Sequence, residues 1–256
     1  MRLNSIAGVI DRRILVNYRV DPDVLARRLP PPFRPQLVAG YGIAGVCLIR
    51  LKQVRPVGLP PWLGVASENA AHRVAVEWDE GGTTLRGVYI PRRDTNLRIN
   101  VWLGGRLFPG VHHAAAFDVH ETAQRYTVRV MSDDGRMRLD VQVTKSDSLP
   151  ADSVFASLEG AAAFFLNGSH GYSPGATASQ YDAVELNCEP CTMRPLAIER
   201  IESSYFDDRR TFPAGTIAPD CALLMQDVGH AWSRLPELCC PDEQVASLET
   251  AQRVAK

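Results

Sequence analysis

Residues 67–91 read SENAAHRVAVEWDEGGTTLRGVYIP. A β-type run from Ser67 to Asp79 meets Gly81-Gly82, which turns the chain into a second run from Thr83 to Pro91. Alternation sorts the first run into two faces. Glu68, Ala70, His72, Val74 and Val76 share one; Asn69, Ala71, Arg73, Ala75 and Glu77 share the other. The first face is apolar at one end and carries a carboxylate and an imidazole at the other. Turned into a barrel, it makes Glu68 and His72 inward polar groups with few neighbours to satisfy them. Burial would then push the Glu68 carboxyl upward, towards acid or base chemistry. The plainer role for Glu68 is a rim carboxylate paired with an arginine.

The same strand grammar extends outward along the chain. Arg12 to Arg19 is a short β-type run, and Tyr41 to Val54 a long apolar one. Tyr126 to Met131 and Met137 to Thr144 flank the hairpin signal Asp133-Asp134-Gly135. Further strand-like segments lie at Ala183 to Asn187, Leu196 to Phe206 and Ala222 to Gln226. Helices are few. Asp21 caps a short one with Pro22 at its first position, stopped by the prolines at 30–32. Asp94 to Leu103 reads as another, capped by Asp94 or Thr95, and Asp152 to Leu166 as a third with an apolar face. Arg55 to Gly64 is a Pro/Gly loop with Trp62 at its tip, and Asn167 to Gly175 is a loop. Many strands with few helices predict one mainly-β (α+β) domain over residues 1–237, a closed or strongly curved sheet, followed by a peripheral tail from 238 to 256.

Composition bounds the function. With 45% hydrophobic and 22% charged residues over 256 positions, the chain can bury a core without disulfides or metals. A formal net charge of −1 offers no global attraction for nucleic acid or an anionic membrane. No run approaches the ~20 apolar residues that span a bilayer, and the N-terminus lacks a secretory pattern. The six cysteines therefore read as free thiols in a reducing cytoplasm. Lysine occurs only at Lys52, Lys145 and Lys256, so few residues could form a Schiff base.

The segment Gly104 to Ala114 ends in His112-His113 after a Pro109-Gly110 turn. Two imidazoles with unperturbed pKa close to neutrality suggest proton transfer or metal binding. On a strand they point to opposite faces, so at most one enters a given cavity. A metal set of His72, His113 and Glu68 has no supporting spacing, and neither a metal nor a cofactor is expected. Cys188-Glu189-Pro190-Cys191 is a lone CxxC without a second half, which favours incidental thiols. Ser169-His170 lacks a nucleophile-elbow frame.

Four places together resemble the acetoacetate decarboxylase-like superfamily, within it a large uncharacterised bacterial branch. They are Asp11 to Asp21 with the helix and Leu29-Pro30 that follow; Ser67-Glu68 at a strand start; Gly105-Arg106 through His113; and Phe164 to Pro174 followed by Glu185-Leu186-Asn187. The resemblance implies a cone-like antiparallel barrel around a small apolar cavity, with Glu68 facing it and Arg12 or Arg13 reaching it to hold a carboxylate. It also implies a homo-oligomer. One departure is decisive: the family's Schiff-base lysine falls on His113 and its neighbouring lysine on Ala114. An imidazole cannot form the iminium that serves as electron sink.

Two functions follow as expectations. The first is a lyase-, hydratase- or isomerase-type enzyme acting on a small organic acid or carbonyl compound. His113 and Glu68 would exchange protons, Arg12 or Arg106 would anchor the carboxylate, and His72 and His112 would complete the binding site. The second is a non-catalytic protein that binds a small molecule in the same cavity.

Overall fold

The computed structural model describes residues 3–104, 109–175 and 180–239. Arg106, one of the expected anchors, and residues 240–256 of the expected tail lie outside them. Fourteen strands form one sheet. They are β1 (Ser5–Val20), β2 (Arg34–Pro35), β3 (Leu37–Val38), β4 (Tyr41–Pro56), β5 (Val65–Glu80), β6 (Thr83–Thr95), β7 (His113–Glu121), β8 (Arg125–Ser132), β9 (Arg138–Lys145), β10 (His170–Pro174), β11 (Gln180–Cys188), β12 (Arg194–Ser203), β13 (Ile217–Arg234) and β14 (Leu238–Cys239). Three short helices accompany them: α1 (Pro22–Ala26), α2 (Arg98–Leu103) and α3 (Leu158–Asn167). None is long and apolar enough to cross a membrane.

The sheet closes on itself. Pairing runs β6-β7-β8-β9-β12-β13-β1-β4-β5, and β5 pairs back onto β6. A second branch, β10-β11, bridges β6 to β13. The result is a ring of strands rather than a regular barrel. β13 pairs with β12 at Ala222–Leu224 and with β11 only from His230 onward. The ring therefore forks between those points.

Alternation gives the sheet two apolar faces. Ile14, Val16, Val46, Leu48, Val74, Val76, Val128 and Val141 pack inside the ring. Leu15, Ile43, Ile49, Leu223 and Met225 face outward and are covered by Phe155, Ala161 and Phe165 around α3. Strands β1, β4 and β13 are thus buried on both faces. That is why the run from Tyr41 is apolar at nearly every position rather than at every second one.

The inner face ends at a set of irregularities. Arg12 pairs with Arg50, but Ile10 pairs with Leu51, so β1 carries one extra residue at Asp11. Such a bulge re-aims the strand. Ile10, two residues from the inward Arg12, packs in the outer core. The β4–β5 register also shifts between Leu51 and Val54, where Gln53 has φ 55°. On β13, Asp227 has φ 54° and Val228 joins the outer core. Three adjacent strands thus leave the inner face just beyond one row of residues.

Several sequence expectations shift. Asp94 and Thr95 end β6, aligned with Ala70 and Asn69, instead of capping a helix; α2 starts at Arg98, and its N-cap Leu97 makes no side-chain cap bond. The third helix starts at Leu158, where the Ser157 hydroxyl accepts from the Gly160 N–H. Asp220 anchors the turns and bends that precede the helix by accepting from the Val154 N–H and the Ser153 hydroxyl. His170–Pro174, expected in a loop, is a strand. Of the residues expected in the peripheral tail, Leu238–Cys239 form β14, which pairs with β11, and Leu238 packs against the inner core.

Gly45 shows how closely β1 and β4 approach. A Cβ there would lie 2.3 Å from the Val16 carbonyl oxygen. Gly45→Ala should destabilise the protein by about 1–3 kcal/mol, seen as a lower urea midpoint at unchanged m-value; an unchanged midpoint would show that the strands can part at no cost.

Candidate functional site

The last inward row before the bulges is polar on four neighbouring strands. Gln226 of β13 is the cross-strand partner of Arg12 on β1, Arg12 that of Arg50 on β4, and Arg50 that of Glu68 on β5. Cross-strand partners share a face, so their side chains meet. Arg12 donates through Nη2 to Glu68 Oε2 at 2.6 Å, and Arg50 Nε donates to Glu68 Oε1. Glu68 is thereby clasped by two guanidiniums, and its backbone N–H donates to the Asn96 amide oxygen at 2.9 Å.

A second carboxylate enters from across the ring. Glu121, the last residue of β7, accepts from Arg12 Nη1 and forms an ion pair with Arg50 Nη2 at 2.9 Å. Arg12 is 1% exposed, Glu68 12% and Glu121 27%. Two cations and two anions are therefore interleaved at the boundary of an apolar interior. For Arg50, burial works against the charged form, yet the hydrogen bond and charge of Glu68, with Glu121 behind, outweigh it and raise its pKa. Tyr126, at the start of β8, lies close to the Gln226 side chain; burial, then the charge of Glu121, pushes its hydroxyl up. Beside this cluster the fork in the ring leaves a cleft of about 490 Å³ lined by Cys191, Thr192, Arg194, Leu224, Gln226 and Asp227.

The residues expected from the sequence divide here. Arg12 and Glu68 are brought together. Arg13 points to the outer face, where its Nε donates to Cys47 Sγ, so Arg12 is the one that reaches the interior. His72 is inward and 1% exposed, but it lies further along β5, against Tyr205 and Phe206 at ring-centroid distances of 4.9 and 5.7 Å. Neither of its ring nitrogens has a hydrogen-bond partner among the described residues. Burial, then the charge of Arg92, lowers its pKa to about 4. His112 lies beside the Gly110 carbonyl on the other side of the sheet, where burial and then Arg93 lower its pKa to about 3.

His113 heads β7, half-exposed, 3.7 Å from Asp134. Asp134 is itself paired with Arg92, which also binds Asp94. His113 aligns with Asp94, and Asp94 with Ala70. That places it two strand spacings, about 10 Å, sideways from β5. The pair of His113 with Glu68 is not formed. Nor are His72, His113 and Glu68 gathered as a metal donor set among the described residues.

Sequence reasoning missed Arg50, Glu121, Tyr126 and Gln226. A signal existed for two of them. Val46, Leu48 and Arg50 share one alternation phase, and so do Ala115, Phe117, Val119 and Glu121 in the strand overlooked after the histidine pair.

Comparison with known proteins places this geometry in context. The family model described as an uncharacterized conserved protein, DUF2071, matches residues 10–219. No curated protein matches the chain. Solved structures of similar fold include the enduracididine biosynthesis enzyme MppR complexed with pyruvate, 12% identical with a TM-score of 0.62 over 95% of this chain and 92% of that one. Acetoacetate decarboxylase from Legionella pneumophila is 12% identical with a TM-score of 0.58 over 92% and 88%. An acetoacetate decarboxylase-like enzyme from Sphingomonas wittichii RW1 is 12% identical with a TM-score of 0.55 over 92% and 93%. At such identities the likeness shows the fold.

His72 makes a pH test available. Its folded pKa of about 4 lies below the unfolded value of 6.5, so as the pH falls the unfolded chain takes up the proton first. Stability is intact above about pH 6.5 and is lost progressively towards pH 4. Urea unfolding should show His72→Phe recovering roughly 3 kcal/mol of the loss between about pH 7 and 4; identical pH slopes in the two proteins would contradict this environment for His72.

Proposed function

The chain belongs to the DUF2071 family and has the acetoacetate decarboxylase-like fold, and from that premise we propose that it binds a small organic acid or carbonyl compound at the Gln226–Arg12–Arg50–Glu68 row and acts on it by acid–base, lyase-type chemistry. The observation that carries this reading is the pair of guanidiniums that clasp Glu68 inside the ring. Their planar donor forks suit a carboxylate, and the neighbouring cleft at Gln226 supplies an approach. MppR, of similar fold, has been solved with pyruvate, a small keto acid.

In this reading a ligand carboxylate takes the place of Glu121, the more exposed of the two acidic partners. Arg12 and Arg50 keep their charge balance, and the Glu121 carboxylate moves aside with the end of β7. Glu68, loosened from one guanidinium, then receives or returns a proton at the carbon next to the carbonyl. The Tyr126 hydroxyl and Gln226 amide face the developing enolate oxygen. His113 stands outside this centre. Schiff-base chemistry has no part in this reading: of the two lysines among the described residues, Lys52 is 53% exposed and paired with Asp11 at the rim, and Lys145 is exposed at the end of β9.

A non-catalytic binding role is the second reading. It is favoured by the engagement of both Glu68 oxygens with guanidiniums, which opposes a role for Glu68 as a base.

Pyruvate or acetoacetate should raise the melting temperature of the wild-type protein, and Arg50→Gln should weaken that binding about tenfold or more. Solvent-deuterium exchange at the ligand's α-carbon, followed by NMR, should occur with wild type and fall at least about a hundredfold in Glu68→Gln. Binding without exchange selects the second reading, and no binding of either acid sinks both. Borohydride with acetoacetate should trap no lysine adduct; an adduct would overturn the acid–base mechanism.

A further inference from the structure

The outer face of the ring carries a second pair of arginines with an opposite charge balance. Arg13 and Arg73 project away from the inner core, beneath α3. Arg73 is 4% exposed, donates to the Asn17 amide oxygen and lies over the Phe165 ring at 4.7 Å. Its Nε has no hydrogen-bond partner among the described residues. Arg13 donates only to Cys47 Sγ, at 3.3 Å. Neither guanidinium pairs with a carboxylate among the described residues. The groups acting on them are the thiols of Cys47, Cys188, Cys191 and Cys221 and, for Arg73, Arg13 itself. Every arginine of the inner row, by contrast, has an acidic partner.

A buried guanidinium such as Arg73 beside a second, half-buried one, with no carboxylate partner among the described residues, is costly. Burial, followed by smaller contributions that include Arg13, lowers the Arg73 pKa to about 10; at Arg13 burial also works against the charge, but the neighbouring thiols, Cys47 first, outweigh it and raise the pKa. Arg13 opens directly onto a cleft of about 320 Å³ between the end of α3 and β11, lined also by Phe165, Ser169, Asn187, Cys188 and Cys191. Glu189 lines the cleft too, but its side chain lies against Gly229: a Cβ there would fall 2.5 Å from Glu189 Cδ. The cleft has the size of a small-molecule site and combines a donor fork with apolar walls and a hydroxyl.

We propose that this cleft is a second ligand site, separate from the inner row, that takes a small organic oxyanion, a carboxylate or phosphate monoester with an apolar body. Arg13 binds the oxyanion through its fork. Arg73, stacked beneath Phe165, adds fixed positive charge from behind. The apolar body of the ligand lies on Phe165, Leu166 and Leu186, and the ligand covers Cys188 and Cys191.

The test uses the full chain with phenyl phosphate and benzoate as probes and phenol as the neutral control. Alkylation of Cys188 and Cys191 by iodoacetamide is followed by mass spectrometry, alongside thermal melting. One oxyanion probe, and not phenol, should raise the melting temperature and slow alkylation of both cysteines about tenfold at ten times its Kd. The stronger probe tells phosphate from carboxylate. Arg13→Gln should lose both effects, and Arg50→Gln, in the inner row, should keep them. Unchanged alkylation with both probes, or undiminished binding by Arg13→Gln, would overturn the site. Should Arg13→Gln not fold, the wild-type alkylation comparison decides alone.

Discussion

Arg12 sits almost fully buried at the end of an apolar ring, where it is paired with Glu68 on one side and Glu121 on the other. This interleaving of charges governs the rest of the structure. Removing either carboxylate would leave a guanidinium unbalanced where water cannot reach it, and breaking a pair of this kind typically costs 3–5 kcal/mol. The row also ties distant parts of the chain together. β1, β4, β5 and the end of β7 meet at one set of hydrogen bonds. Closure of the ring is what brings the members of the row within reach of one another.

The bulges explain why the polar row can exist there. Inward positions further along β1, β4 and β5 are Ile14, Leu48 and Ala70, which exclude water and tolerate no unpaired charge. At Asp11, Gln53 and Asp227 the strands turn away from the interior. The row therefore lies at the boundary, dry enough to strengthen its charges yet next to an opening. The fork of β13 between β12 and β11 supplies that opening, because a strand that changes partner cannot be covered along its whole edge. The outer arginines lie on the same strands with the opposite phase. Arg12 and Arg13 are chain neighbours, yet one faces two carboxylates and the other three thiols.

Much of the architecture was legible locally. Alternation in 67–79 placed Glu68 and His72 inward, and the turns at Gly81-Gly82 and Asp133-Asp134-Gly135 lie between paired strands. The Asp21-Pro22 helix start is present with its cap bonds. These signals depend on nearest neighbours and need no tertiary knowledge. The strand from His113 to Glu121 was missed because three alanines open it and weaken the alternation of Phe117 and Val119. The choice between Arg12 and Arg13 stayed open, since one extra residue in a strand moves every side chain beyond it to the other face.

The sequence by itself determined the strand-rich class, the inward phase of Glu68, and the scarcity of lysine. Tertiary structure decided which charges meet. It set Glu68 against Arg12 and Arg50, brought Glu121 to them from across the ring, and left His113 with Asp134. The reason is physical. Side-chain phase is a local, period-two property of a strand, whereas the contacts of a buried charge depend on register and ring closure, which join residues as far apart as Arg12 and Glu121.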